Sequence, residues 1–178
     1  MSDIVAQWEV SLSDGIHRIE FEHGTTSGKR VVRVDDRDVV RKEWMFKLVG
    51  REHFTIGKAK CCILIQAVSG FAYEYSMEIN GKSLQKFTEN QTKIMKTWTL
   101  EVGGIPTRVV LEKDTLDVWV NGQRMPTTGE FTDEGTETHF VLSETVLAHI
   151  TAVSSGRRKD GIIHKLYVND VEIPEAKE

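Results

Sequence analysis

The residues best suited to acid–base chemistry are histidines with carboxylates close by in the sequence. Asp133, Glu137 and His139 fall within one short segment, DEGTETHF, and an imidazole beside carboxylates can exchange protons, bind a small ligand or bind a metal ion. His17 and His23 share one face of a strand-like segment but lie about 20 Å apart, too far to share a metal ion. Because the histidines do not cluster along the chain, we expect no metal and no cofactor. A hydrolytic or ligand-binding site at Asp133, Glu137 and His139 remains the alternative hypothesis.

The sequence lacks the common motifs of nucleophilic catalysis and phosphate binding. It contains no G-x-S-x-G elbow, no G-x-G-x-x-G run and no GK[ST] motif. Cys61 and Cys62 are its only cysteines, and they are adjacent in an apolar, strand-like run where a disulfide between them would be strained. A thiol in such a run is usually an inert, buried group. These observations predict a protein that is not an enzyme.

The composition limits the possible partners and the compartment. The chain has 23 Lys and Arg against 27 Asp and Glu, a net charge of -4, so no overall positive field attracts nucleic acid. No apolar run reaches the roughly 20 residues needed to span a bilayer, and the N-terminal residues do not resemble a signal peptide. Reduced cysteines suit a reducing compartment. We therefore predict a cytoplasmic protein without nucleic-acid binding or membrane insertion, and its oligomeric state stays open.

Two segments are candidates for contacts with protein partners. Residues 157–159 form a basic run flanked by glycines, which is typical of a solvated hairpin loop. Phe71, Tyr73 and Tyr75 alternate along a strand and therefore share one face. We expect the two tyrosines to pack in a core and Phe71 to be exposed. The candidate contact residues are Phe71, Arg157, Arg158 and Lys159.

The elements that must position these residues are mainly β-strands. Apolar and polar residues alternate in many short runs, which is the pattern of strands with one buried face. Asn80-Gly81 and Asn121-Gly122 predict tight hairpin turns. Residues 84–96 are the best candidate for a helix, although this segment is richly polar. The predicted fold class is therefore all-β.

Similar landmarks recur in the same order in the two halves of the chain, which indicates an internal repeat. The pairs are Trp8 with Trp98, residues 17–22 with 107–112, His53 with His139, the Ala-Val-Ser runs 67–69 and 152–154, and residues 78–81 with 167–170. We predict two antiparallel β-sandwich-like modules, residues 1–84 and 96–178, joined by a linker at residues 85–95. A single continuous barrel is the structural alternative.

Small modules need their aromatic side chains to build a core. We expect core positions for Trp8, Phe21, Trp44, Phe46 and Tyr75 in the first module and for Trp98, Trp119, Phe131 and Phe140 in the second. The charged segment at residues 30–44 is expected to guard an exposed strand edge.

Several segments resemble the Fas apoptotic inhibitory molecule family, and the resemblance extends over essentially the whole chain. They are WEVSLSDGIHRIEFEHGTTSGKRVV, RKEWMFKLVG, SGFAYEYSMEINGKSL, VVLEKDTLDVWVNG, GEFTDEGTETHF and AVSSGRRKDGIIH. The resemblance implies a cytosolic all-β protein of two sandwich-like modules with no known catalytic activity. It also implies resistance to death-receptor (Fas) mediated apoptosis, survival signalling through NF-κB, neurite outgrowth and protection against protein aggregation. Protein partners, including unfolded or aggregating clients, follow from the same resemblance, and no catalytic residue is carried over.

Overall fold

Antiparallel β-strands dominate the structure, which confirms the all-β prediction. The computed structural model describes residues 4–69, 72–154, 156 and 161–176. Within these ranges the chain forms seventeen strands, one helix and four antiparallel sheets. That helix is neither long nor apolar enough to cross a membrane. Contacts divide the chain into two compact units, Met1–Leu12 with Ile16–Gln91 and Ser13–Gly15 with Thr92–Glu178.

The first unit contains two four-stranded sheets, each with its strands hydrogen-bonded in chain order. The strands of one sheet are β1 (Ile4–Leu12), β2 (Gly15–His23), β3 (Arg30–Val34) and β4 (Arg37–Lys42). Those of the other are β5 (Gly50–Ile56), β6 (Ala59–Ala67), β7 (Tyr73–Ile79) and β8 (Lys82–Ser83). Ile19 and Phe21 of the first sheet belong to the same buried cluster as Ile63 and Ile79 of the second. The two sheets therefore enclose one apolar core.

A single helix, α1 (Leu84–Ile94), follows these sheets in the described part of the chain. Ser83 lies just before it, and the Lys86 amide donates a hydrogen bond to the Ser83 Oγ at 3.3 Å, which caps the helix N-terminus. Phe87 is buried in the core of the first unit, and Leu84 packs against that core. The segment that the sequence analysis treats as a linker is thus helical and contributes to a core.

The second unit repeats this arrangement with one extra strand. Its four-stranded sheet consists of β9 (Met95–Val102), β10 (Ile105–Glu112), β11 (Asp117–Val120) and β12 (Gln123–Met125). Its five-stranded sheet consists of β13 (Thr128–Phe131), β14 (Gly135–Val141), β15 (Leu147–Ser154), β16 (Ile162–Val168) and β17 (Val171–Ile173). Trp98 and Leu111 of one sheet share a buried cluster with Phe140 and Leu166 of the other. This unit, too, has a core between two sheets.

The two predicted hairpin turns are confirmed. Asn80 and Gly81 connect β7 to β8 with φ angles of 51° and 78°. Asn121 and Gly122 connect β11 to β12 with φ angles of 48° and 82°. Both pairs occupy the left-handed region, which asparagine and glycine tolerate better than other residues and which suits a two-residue hairpin.

Several landmarks of the internal repeat lie in corresponding strands. Trp8 and Trp98 lie in β1 and β9, and His53 and His139 lie in β5 and β14. The strand β13 interrupts the correspondence because it precedes β14 at the edge of its sheet. The repeat itself stays an interpretation of these matches.

The predicted aromatic core is only partly correct. Phe21, Trp98 and Phe140 are buried, and Trp8 and Tyr75 pack against the core of the first unit. Trp119 is half-buried. Trp44, Phe46 and Phe131 are instead 65%, 85% and 91% exposed, so the prediction for these three is wrong. Trp44 and Phe46 lie in the connection between β4 and β5, and Phe131 ends the edge strand β13, where no opposing sheet covers them.

Candidate functional site

The contact residues predicted from the sequence cannot be placed. Phe71, Arg157, Arg158 and Lys159 lie outside the described residues. Tyr73 and Tyr75, which share the strand face predicted for Phe71, are half-buried and pack against the core of the first unit. That part of the prediction is correct.

Two carboxylates and one imidazole meet on the hairpin of β13 and β14. Glu130 lies directly opposite Glu137, and His139 follows two residues later on the same face of β14. The Nε2 atom of His139 is 3.2 Å from Oε2 of Glu130 and 3.2 Å from Oε2 of Glu137. Asp133 lies in the hairpin turn and does not belong to this group. The structure thus brings together two of the three residues of the alternative hypothesis and adds Glu130.

A row of rings extends this cluster across the sheet. His149 of β15 lies opposite His139, and Tyr167 of β16 lies opposite His149. The ring centroids are 5.3 Å apart for the two histidines and 5.1 Å apart for His149 and Tyr167. All three rings are half-buried, so this sheet face is open to solvent. The groups are suited to binding a ligand at a surface.

A different polar group is buried in the first unit. The side chains of Arg30 and Glu52 are each 3% exposed, and Arg30 Nη1 donates a hydrogen bond to Glu52 Oε1 at 3.0 Å. Arg30 Nη2 donates to the carbonyl oxygens of Lys47 and Val49 at 2.9 and 2.7 Å. Lys42 Nζ donates to Glu52 Oε2 at 3.0 Å. Both buried charges are therefore paired, which they must be because an unpaired buried charge is strongly destabilising.

The sequence analysis missed this network, although the strand pattern contains a signal for it. Glu52 alternates with Phe54 and Ile56 and therefore lies on the buried face of β5. Arg30 belongs to the segment assigned to a charged edge, but it lies in the inner strand β3, and within that segment β4 is the strand at a sheet edge. The edge strand does carry the expected ion pairs, such as Arg41 with Asp38 at 2.8 Å.

His23 is buried between this network and two tyrosines. Its Nδ1 is 2.7 Å from the hydroxyl oxygen of Tyr75, and its ring lies edge-on to Tyr73 with the centroids 5.2 Å apart. Burial lowers the pKa of His23 below its ordinary value, and the positive charge of Arg30 lowers it further. The neutral imidazole is thus favoured, and the ring serves packing within the first unit.

The two thiols are suppressed as nucleophiles. Both cysteines are free and buried, and burial raises the pKa of Cys61 to about 11. Burial also raises the pKa of Cys62, although the nearby Arg51 guanidinium opposes this shift. The thiolate is the reactive form of cysteine, so neither residue is prepared for attack on a substrate.

Exposed aromatic residues are the most prominent apolar features of the described surface. The rings of Trp44 and Phe46 lie 6.5 Å apart between β4 and β5. Phe131 of the second unit is also exposed, but it lies in the edge strand β13 and not in a connection between strands. Large exposed aromatic side chains are typical of protein-contact surfaces.

A cavity of about 680 Å³ lies elsewhere, beside α1 in the first unit. Its lining residues are Gly81, Lys82, Ser83, Lys86, Glu89 and Asn90. These residues include none of the group around His139, whose side chains are partly exposed on the face of the five-stranded sheet. An open face is the arrangement expected of a binding surface, whereas catalysis usually takes place in a cleft.

These features define an all-β protein of two units whose accessible aromatic and titratable groups lie on connecting segments and open sheet faces. The chain belongs to the Fas apoptotic inhibitory molecule family, because the sequence model of that family matches residues 4–176. It is 63% identical to Fas apoptotic inhibitory molecule 1 of Bos taurus over 180 residues, which cover 100% of this chain and 89% of the relative. The proteins of the same name from Mus musculus and Homo sapiens are 62% and 60% identical, each over 98% of both chains. The resemblance noted in the sequence is therefore confirmed.

Proposed function

We propose that this chain inhibits apoptosis triggered through the death receptor Fas, and that it acts in the cytoplasm by binding proteins and not as an enzyme. The observation that carries this proposal is an identity of 60–63% along nearly the whole chain to proteins named Fas apoptotic inhibitory molecule 1. At that identity, relatives share the same fold. Survival signalling through NF-κB is part of the same proposal.

The features of the described surface support binding more than catalysis. Burial suppresses both thiols, and the histidine with two neighbouring carboxylates lies on an open sheet face. Trp44 and Phe46 are the best candidates for the contact, because aromatic side chains that are mostly exposed in the free protein lose much apolar surface to water when a partner covers them. The partner surface that they fit is apolar.

The proposal is tested in cells that lack their own copy of the protein. Expression of the wild-type chain should lower caspase activation and cell death after Fas ligand is added. A Trp44→Ser/Phe46→Ser variant should lose most of this protection at equal expression. Leu147→Ser is a matched control, since Leu147 is a 64% exposed apolar residue in the second unit and is expected to be dispensable.

The outcomes separate the function from its surface. Equal cell death with and without the wild-type chain would overturn the proposed function. Full protection by the double variant would retain the function and overturn the assignment of Trp44 and Phe46 as the contact. Loss of protection in Leu147→Ser as well would also overturn that assignment, because it would show that any exposed apolar change is harmful.

Protection against aggregation belongs to the same proposal and is testable with purified protein. The full chain, without ATP, should slow the aggregation of a destabilised client at equimolar concentration. The Trp44→Ser/Phe46→Ser variant should slow it less, because binding to unfolded chains depends on exposed apolar surface. Unchanged client aggregation in the presence of the wild-type chain would contradict this activity.

A further inference from the structure

We propose that Glu130, Glu137 and His139 form a binding site for a divalent transition-metal ion, with Zn²⁺ as the best fit. The site lies on the open face of the five-stranded sheet in the second unit. It combines one imidazole nitrogen with two carboxylate oxygens, which is a donor set that zinc uses in proteins. Neither the family match nor the names of the relatives refer to a metal.

The sheet holds the three side chains in place. Glu130 of β13 is paired directly with Glu137 of β14. His139 lies on the same side of β14 as Glu137, because alternate residues of a strand share a face. On its other side, β14 is paired with β15 over seven residues, from Gly135 to Val141. Donors on paired strands move less than donors on loops, which favours a preorganised site.

The distances between the donor atoms suit a shared zinc ion. The His139 Nε2 atom is 3.2 Å from one oxygen of each glutamate, and the three donor atoms all lie within 4.8 Å of one another. Two donors that bind one tetrahedral zinc ion at about 2.0–2.2 Å are about 3.3–3.6 Å apart. Small rotations of the exposed Glu130 side chain and the half-buried Glu137 side chain therefore complete the site.

Electrostatics also favours a cation at this position. Two like charges directly opposite each other in a β-ladder are destabilising, and Glu130 and Glu137 are such a pair. His139 Nε2 carries at most one hydrogen, so it cannot donate a well-aligned hydrogen bond to both carboxylates at once. A dication between them would neutralise both carboxylates and accept the nitrogen lone pair.

The remaining surroundings indicate an exchangeable site. The side chains of Glu130, Glu137 and His139 are 63%, 28% and 40% exposed, so water can complete the coordination of the ion. The ring of His149 lies next to that of His139 at a tilt of 30° and limits the orientations of the His139 ring. A site of this kind exchanges its metal with solvent, whereas a closed structural site with four protein ligands retains it. The proposal departs from the sequence-based expectation of no metal, because Glu130 meets His139 only through the register of β13 and β14.

The first unit offers a matched control. His53 occupies the place of His139 in the corresponding strand, but Arg51 stands two residues before it where Glu137 stands before His139. Arg51 forms an ion pair with Glu78 at 3.5 Å, so a positive charge already lies on this face. A guanidinium has no lone pair to offer a metal ion, so His53 lacks the neighbouring carboxylate ligand that His139 has and should not contribute to binding.

The test is calorimetric titration of Zn²⁺ into the tag-free full chain after treatment with a chelator. One equivalent of Zn²⁺ should bind, and the side-chain NMR signals of His139 should shift with the same saturation curve. Glu130→Gln and His139→Asn should each weaken the binding by at least about tenfold, because losing a ligand costs at least as much as losing the group that orients it. His53→Asn should bind as the wild type does.

Three results would overturn the site. The first is no saturable binding of Zn²⁺ by the wild-type chain. The second is unchanged affinity in both Glu130→Gln and His139→Asn, which would place the metal elsewhere. The third is an equal loss of affinity in His53→Asn. If circular dichroism shows that His139→Asn is unfolded, the Zn²⁺ affinity of Glu130→Gln alone tests the site. This variant changes one atom of an exposed side chain and should therefore fold normally.

Discussion

The two units differ at one buried position in matching strands, where β5 carries Glu52 and β14 carries Thr138. In the first unit, Glu52 of β5 lies opposite Ile63, and its carboxylate is buried beside Arg30. At the corresponding position of the second unit, Thr138 of β14 lies opposite Ile150 and is also buried. One unit thus places a charge in its interior where the other places a neutral hydroxyl.

The preceding position in the same strands carries charges of opposite sign in the two units. Arg51 stands before Glu52, and Glu137 stands before Thr138. The outer face of the first unit therefore carries a cation at this place, and that of the second carries an anion beside His139. The strand pattern fixes which side chains point inward, and within that pattern the two units use charge differently. The interior ion pair belongs to the first unit, and the proposed cation site belongs to the second.

The largest difference between the units should appear when the buried charge loses its partner. Glu52→Ala leaves Arg30 buried without its carboxylate, and it should lower the free energy of unfolding of the first unit by about 3–5 kcal/mol. Thr138→Val removes only a hydroxyl at the matched position, and it should cost about 1 kcal/mol or less. Hydrogen exchange of peptides from each unit measures both effects.

A second variant shows whether the charge or the packing matters. Arg30→Met/Glu52→Leu replaces the ion pair by apolar groups of similar size and should recover most of the lost stability, because a buried ion pair is often no better than well-packed apolar side chains. If the double variant is as unstable as Glu52→Ala, the shape of the network matters more than its charge. Equal losses in Glu52→Ala and Thr138→Val would remove the contrast between the units.

A smaller effect should follow from pH, because each unit buries one histidine. Burial lowers the pKa of His23 and of His164 below the ordinary value of 6.5, and neighbouring positive charges lower both further, from Arg30 in one case and from Lys113 and Lys96 in the other. Each histidine makes its full contribution to the free energy of unfolding at a pH above its pKa in the unfolded chain. This contribution is lost as the pH falls from the unfolded-state pKa to the folded-state pKa, because the unfolded chain binds a proton that the folded unit excludes.

Substitutions assign this pH dependence to each unit. His23→Gln should reduce the loss of stability between about pH 7 and pH 5 in the first unit only, and His164→Gln should reduce it in the second only. Hydrogen exchange at several pH values, corrected for the intrinsic exchange rate, reports both. A pH dependence that is unchanged in a variant would show that carboxylates cause it and that the histidine does not.

Thiol labelling provides a kinetic comparison, because both cysteines lie in the first unit. A pKa of about 11 for Cys61, against an ordinary value of 9.0, leaves about a hundredfold less thiolate at neutral pH. Labelling by a thiol reagent should therefore be slow in the native protein and should accelerate in Glu52→Ala. Phe140→Ala, which creates a cavity in the second unit, should leave the rate unchanged. Equal acceleration by both variants would show that the two units unfold together.

The smallest effects are expected at the exposed phenylalanines. Phe46→Ser and Phe131→Ser should each change the free energy of unfolding by less than about 0.5 kcal/mol, since both rings already contact water. Thermal unfolding of the two variants and the wild type measures this. A loss of about 2 kcal/mol or more at either position would assign that ring to a core and contradict its role as a surface residue.

The sequence predicts the strands well because their pattern is local. Alternation along one strand reports which side chains share a face, and Asn-Gly pairs report the hairpin turns. Local pattern does not report which face is covered. Trp44, Phe46 and Phe131 are as apolar as Phe21, but their exposure depends on where the opposing sheet ends. Aromatic content alone therefore overestimates the core.

Contacts between strands depend on register, which spacing along the chain does not give. Glu130 and His139 are nine residues apart and meet only because β13 pairs with β14 in one particular register. The two Ala-Val-Ser runs, residues 67–69 and 152–154, are a related case. Ile63 and Ile150 are equivalent because they pair with the matching residues Glu52 and Thr138. Four residues further along each strand, Ala67 corresponds to Ser154 and not to Ala152, so the two runs are displaced by two residues. Similar letters indicate similar strands there without marking equivalent positions.

The position of α1 determines where the chain can be divided for expression in pieces. A fragment that ends at residue 84 follows the division suggested by the sequence, but it lacks Phe87, whose ring fills part of the first core. The hole would expose the surrounding apolar groups to water, and such a fragment should be poorly soluble. A fragment that continues through Ile94 keeps the complete helix. The helix thus completes the core of the first unit, and any isolated N-terminal fragment has to include it.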